Sequence, residues 1–155
     1  MTYLAAAEEG DHRRAAAAAN PAADSAAARG EWWPADIWAH RSLWHFEQVE
    51  MTLQAARAAR RIGEIRTLAG DPASARRYYA EAISEARDIG AEREEGLAAL
   101  GMGRAQLELG DVTTARRLAQ ISIDLLQRAG APSDETEAAR RLRGVEKTVE
   151  MEGGR

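Results

Sequence analysis

The stretch Ile62-Gly63-Glu64-Ile65-Arg66-Thr67-Leu68-Ala69-Gly70-Asp71-Pro72-Ala73-Ser74-Ala75-Arg76-Arg77-Tyr78-Tyr79-Ala80-Glu81-Ala82 decides the fold. It reads as the end of one helix, a tight turn at Gly70-Asp71, and the start of a second helix. Forty residues later the plan returns in Met102-Gly103-Arg104-Ala105-Gln106-Leu107-Glu108-Leu109-Gly110-Asp111-Val112-Thr113-Thr114-Ala115-Arg116-Arg117-Leu118-Ala119. Gly63 aligns with Gly103, Gly70-Asp71 with Gly110-Asp111, Ala75 with Ala115, and Arg76-Arg77 with Arg116-Arg117. A fixed period in this range marks a repeat array. Glycine at the turn takes the left-handed conformation that ends a helix, and aspartate caps the next helix's free amides. Pro72 suits a first helical position. Gly63 and Gly103, inside the first helix, leave room for a neighbouring helix, and Ala75 and Ala115 do so from the second.

Working outward, a helix is expected over about 72–89, with Tyr79, Ala82, Ile83, Ala86 and Ile89 inward. Another spans Glu92 to Leu109, with Leu97, Leu100, Ala105, Leu107 and Leu109 among its apolar positions, and another Val112 to Ala129, with Leu118, Ile121, Leu125 and Leu126. Ser133 is expected to cap a last helix reaching about Met151, polar enough to close a helical stack. Toward the N-terminus, apolar residues from Ile37 to Leu68 recur at spacings of three and four. They predict either one long helix over 35–69 or two divided near Phe46–Met51. Residues 1–30 are an Ala-rich segment of high helix propensity, interrupted at Asn20-Pro21. Gly10-Asp11 echoes the later turns, so this segment is either a degenerate repeat or a loosely ordered leader. The repeat domain then covers 31–155, with a C-terminal capping helix.

These motifs resemble the tetratricopeptide repeat family, in particular the long units of bacterial regulators. Ile62-Gly63, Gly70-Asp71, Ala75, Tyr79 and Ala82 fit one unit, and Met102-Gly103, Gly110-Asp111, Ala115, Ala119 and Ser122 a second. Arg143-Gly144 and Gly153-Gly154 suggest a third first-helix acting as the cap. The match covers roughly residues 50–130. The period of 40 exceeds the family's usual unit of about 34. Ala59 and Ala99 replace the family's early large aromatic, and Gly90 and Gly130 stand in for its closing proline. The resemblance implies an all-α, short right-handed α-solenoid of antiparallel helix hairpins that binds a protein or peptide in its concave groove. Carried residue by residue, the groove positions are Arg57, Arg60, Glu64, Thr67, Leu97, Leu100, Arg104, Leu107, Arg141 and Val145. The family's carboxylate clamp is not met, because Glu64 and Gly101 stand where it needs asparagine.

Composition narrows the function classes. The net charge of -4 over 155 residues speaks against a general nucleic-acid binder. All basic residues but Lys147 are arginine, which suits bidentate capture of carboxylates. The absence of cysteine excludes disulfides, thiolate metal sites and cysteine nucleophiles. No apolar run approaches a membrane span, and the first residues lack the pattern of a secretory signal. A cytoplasmic protein without cofactor is expected.

No catalytic constellation stands out. His40 and His45 are five apart, off the spacing that sets two metal ligands on one helical face. Glu92-Arg93-Glu94-Glu95 reads as a solvated helix start that complements the helix dipole. Gly101-Met102-Gly103 lies inside a helix and lacks the strand that precedes a phosphate loop. The aromatic cluster is the other candidate: Trp32, Trp33, Trp38, Trp44 and Phe46 lie beside His40 and His45. It either plugs the N-terminal end of the stack against residues 1–30 or presents a ligand surface built on Trp33, Trp38, His40, Trp44 and His45. The expectation is a non-enzymatic adaptor for a protein or peptide, an acidic one suiting the arginines, with self-association plausible. The alternatives are a small-molecule or peptide sensor at the aromatic cluster, or an enzyme with a pocket there.

Overall fold

The computed structural model describes residues 2–146, which form eight helices: α1 (Tyr3–Glu8), α2 (His12–Ala28), α3 (Trp32–Gln48), α4 (Thr52–Leu68), α5 (Pro72–Asp88), α6 (Glu92–Glu108), α7 (Val112–Arg128) and α8 (Ser133–Arg143). From α2 to α7 every helix has 17 residues and starts 20 residues after the last. Each helix packs against the next, and α2/α3, α4/α5 and α6/α7 are the closest hairpins. The chain is an all-α repeat solenoid.

One turn builds every connection. At Gly10, Gly30, Gly70, Gly90, Gly110 and Gly130 the backbone takes positive φ, and Glu50 does the same at φ 53°. The following amide bonds back to a carbonyl five residues earlier, as Asp71 does to Arg66 at 2.8 Å and Met51 to Phe46 at 3.0 Å. This is the Schellman closure of a helix end. Asp11, Asp71 and Asp111 then accept the amides of Arg14, Ser74 and Thr114. Each such cap is worth about 1 kcal/mol.

The span 35–69 is therefore two helices with a complete turn at Val49–Met51, not one long helix. Asn20-Pro21 does not interrupt α2. Pro21 is exposed, and the carbonyl it frees belongs to the exposed Ala17, where water can satisfy it. At the other end Pro132, not Ser133, is the N-cap residue, and α8 stops at Arg143 with Gly144 as its C-cap. Gly144 is thus a helix end rather than an interior repeat glycine. Met151 and Gly153-Gly154 lie outside the described residues.

Alanine sets the spacing. Ala19, Ala59, Ala99 and Ala139 recur at the 40-residue period and are at most 1% exposed, as are Ala35, Ala75 and Ala115 in the alternate helices. Small side chains at each crossing let neighbouring helices approach closely. Larger groups fill what remains: Leu43, Phe46, Ile62 and Ile65 toward the N-terminus, Leu100, Ile123, Leu126 and Leu142 toward the C-terminus. Between them the buried Tyr79 ring lies against Gly63 and Gly101. A Cβ on Gly63 would stand 2.9 Å from the ring. Ile89, expected inward, is exposed, as are the apolar Leu68, Leu109 and Ile121. Leu68, Ile89 and Leu109 sit at helix ends, where the chain leaves the packed face.

Alternate helices form two layers. α4 touches α6 and α6 touches α8, whereas α3, α5 and α7 make no comparable contacts with one another. α2 and α4 also make no comparable contact, which leaves a cleft between them.

Candidate functional site

That cleft has a volume of about 570 Å³. Asn20, Ala23 and Asp24 of α2 form one wall, and Gln54, Arg57, Arg60, Arg61 and Glu64 of α4 the other. Ala39 and Phe46 of α3 are its floor. The geometry follows from the sequence, because α2 offers alanines where α4 offers long side chains, and short side chains do not bridge the gap. Ser42, buried beneath, donates to the Asn20 Oδ1 at 2.6 Å and fixes that amide.

The arginines of this wall are already engaged to different degrees. Arg60 is largely buried and bonds Glu64 on its own helix and Glu94 on α6. Burial opposes its charge, but the bonds to Glu94 and Glu64 outweigh it and hold the guanidinium above its ordinary value. Arg61 reaches Asp24 of α2 at 2.6 Å and Glu64 at 3.3 Å, so it spans the cleft. Arg57 is 54% exposed and only 3.7 Å from Glu94, a loose pairing that a ligand carboxylate can replace. Glu94 and Glu95 are buried, Glu95 pairing with Arg87 at 2.8 Å, so that helix start is not the solvated run expected.

The remaining groove candidates lie apart from the cleft. Arg104 is exposed with no hydrogen-bond or ion-pair partner among the described residues. Leu107 packs against the C-terminal core cluster. Arg141 is exposed and pairs with Glu137 at 3.4 Å. The structure brings Arg57, Arg60 and Glu64 together and leaves Arg104, Leu107 and Arg141 farther along the stack.

The aromatic candidates separate into three environments. Trp38, Trp44 and His45 face α1 and α2. Trp38 meets the Tyr3 ring edge-on at 5.1 Å under the Arg41 guanidinium, and Trp44 meets His12 at 5.4 Å. His45 is 3% exposed, with Nε2 3.1 Å from the Tyr3 hydroxyl and Nδ1 2.9 Å from His12 Nδ1. Burial, and then a charge on His12, hold its pKa below the ordinary value. Only one of two facing Nδ1 atoms can carry the shared hydrogen, so this pair fastens the N-terminal helices to α3 as a neutral or singly charged unit. His40 turns the other way, its Nδ1 2.8 Å from the Asp36 carbonyl and Nε2 3.0 Å from the Tyr78 hydroxyl. It ties α3 to α5. Trp33 is 75% exposed beside a separate cleft of about 550 Å³ lined by Trp32, Asp36, Ile65, Arg66, Ala69 and Asp71.

One cluster had no sequence signal. Glu47, Glu81 and Glu85 bring carboxylate oxygens within 4.8 Å of one another. Burial, reinforced by Glu81, Glu47 and Asp88, pushes the Glu85 pKa up to about 7. One oxygen of Glu85 is buried without a hydrogen-bond partner. The three come from two helices, and only the packing of α3 on α5 through the intervening layer unites them.

No protein-family model and no curated protein matches the chain. Among the described residues, no helix is long and apolar enough to cross a membrane.

Proposed function

We propose that this chain is a divergent tetratricopeptide-type adaptor of the cytoplasm that binds a peptide or protein segment in the cleft between α2 and α4. The observation that carries this reading is the cleft itself, an open concavity of about 570 Å³ between two alternate helices of the stack. Its floor is apolar, at Ala39 and Phe46, and its rim carries amides at Asn20 and Gln54. Such a mixture suits an extended or helical segment that buries one apolar side chain and satisfies its polar groups at the rim. Arg57 would take an acidic side chain of that segment. Arg60 and Arg61, held by Glu64, Glu94 and Asp24, shape the wall rather than contribute free charge.

The test is affinity capture on the immobilised chain, followed by calorimetry with the captured partner. Gln54→Trp narrows the cleft and Arg57→Glu reverses its accessible charge, and both should weaken binding at least about tenfold, the effect of losing ~1.4 kcal/mol. Unchanged affinity in both variants would place the partner elsewhere.

A further inference from the structure

The repeated arginine pairs Arg76-Arg77 and Arg116-Arg117 are not used by the cleft. All four are exposed. Arg76, Arg77 and Arg117 have no ion-pair partner among the described residues. Arg116 instead donates to the carbonyl of Arg143 at 3.0 Å, which brings another cation close. They lie in the second turn of α5 and α7, near the turns at Gly70 and Gly110. Arg77 also lies 5.7 Å from the Tyr78 ring centroid, which leaves Arg76 and Arg117 as the freest of the four.

Antiparallel helices of equal length place all turns of one kind on one edge. The edge that carries the turns at Gly30, Gly70 and Gly110 also carries both arginine pairs and the basic end of α8. Residues 20–39, 60–79, 100–119 and 140–146, the stretches nearest these turns, together have a net charge of +4, whereas 40–59, 80–99 and 120–139 have -7. A molecule of net charge -4 is thus strongly polarised between its two edges. The acids on the basic edge are mostly engaged: Glu31 with Arg29, Asp36 with Arg66, Asp71 and Asp111 as caps.

Apolar side chains punctuate the same edge. Trp33, Leu68 and Leu109 are 75%, 62% and 43% exposed, one beside each turn. The Trp33 cleft of about 550 Å³ opens there too. We infer that this edge docks an acidic amphipathic peptide segment, with carboxylates on the arginine pairs and apolar side chains on Trp33, Leu68 and Leu109. Guanidinium binds carboxylate with two parallel bonds, and a helix presents apolar anchors every third or fourth residue. A segment of about 15 residues, ~22 Å long as a helix, matches three turns that advance by roughly a helix spacing each. Exposed leucines between the arginines favour this partner over a nucleic acid, whose phosphates do not use them.

The experiment is fluorescence anisotropy of the full chain with a labelled peptide of about 15 residues, Glu and Asp with Leu at every third or fourth position. The expected result is saturable binding that weakens as salt rises. It should fall at least about tenfold when the acids become Gln and Asn, and likewise in R76E/R117E, with the helical circular dichroism intact. The milder R76Q/R117Q should lose less. Arg57→Glu should leave it unchanged, which separates this edge from the cleft. The inference is overturned by absence of binding, by full affinity in R76E/R117E, by loss in Arg57→Glu instead, or by tighter binding of a single-stranded oligonucleotide of similar length.

Discussion

Individual residues carry unequal weight because the helices touch so closely. The Tyr79 ring fills the space left by two glycines, so a methyl on either must displace it. Gly63→Ala and Gly101→Ala should each destabilise the chain by about 1–3 kcal/mol, the range for overpacking a core, read as a lowered urea midpoint. Gly63 was legible as a close-approach glycine from its repeat with Gly103, but its partner was not, because Tyr79 has no equivalent at Ala119. Glu85 illustrates the opposite case, a cost that only packing creates. Its pKa stands near 7 in the fold against 4.5 normally, so folding takes up a proton between those values. Stability contributed by this group therefore falls as pH rises through that window. Glu85→Gln should be more stable than the parent by about 1 kcal/mol near pH 8, a figure already reduced for solvent screening, with little gain near pH 4.5. Thermal melts at the two pH values check this, and a gain independent of pH would assign the effect to something other than ionisation.

At the scale of the element, one turn explains both what was readable and what was not. Glycines at 70, 90, 110 and 130 announce helix ends, and so those boundaries could be placed to within a residue or two, whereas α3, expected from residue 35, begins at Trp32. The turn at 50 was ambiguous because a glutamate occupies the left-handed position there, and no composition cue marks it. A non-glycine residue in that conformation costs about 1–2 kcal/mol, part of which glycine's greater unfolded freedom offsets. Glu50→Gly should therefore raise the unfolding free energy by up to about 1 kcal/mol. A decrease in a urea titration would mean that Glu50 makes compensating contacts. The N-terminal helices obey a different control. α1 has only six residues and is anchored through Tyr3 on Trp38 and His45. Because the folded state holds His45 below its ordinary 6.5, protonation favours the open state. Its contribution is intact above 6.5 and is lost as pH falls below that value. The protection factors of α1 amides, exchange rates corrected for the intrinsic pH dependence, should fall in mild acid, and His45→Phe should flatten that dependence. An equal fall of the protection factors in both proteins would remove His45 from the account.

Over the whole molecule, the sequence pattern and the packing agree on a stack in which neighbours contact neighbours. The two best units were visible as a 40-residue repeat, yet the same register extends through Ala19, Ala35 and Ala139, which alanine enrichment elsewhere in the chain obscured. The cleft was harder to read. Its charges could be assigned to α4 by spacing, but Asp24, Glu94 and the α3 floor come from distant segments, and their pairing with Arg60 and Arg61 depends on tertiary approach. In such a stack, stability is a sum of units and interfaces, so cooperativity depends on the links between them. The link between the N-terminal and C-terminal cores includes Arg60 with Glu94 and the Tyr79 ring between α4 and α6. All four tryptophans lie between residues 32 and 44, so fluorescence reports the N-terminal half, whereas far-ultraviolet circular dichroism reports every helix. The two urea transitions should nearly coincide in the parent chain. Glu94→Ala leaves the largely buried Arg60 with Glu64 as its main partner, a loss of about 3 kcal/mol or more for a broken buried pair. That variant should separate the transitions, because the two halves then unfold at different denaturant concentrations. If both probes instead shift together by the same amount, the stack is a single cooperative unit and the α4–α6 interface is not its weak link.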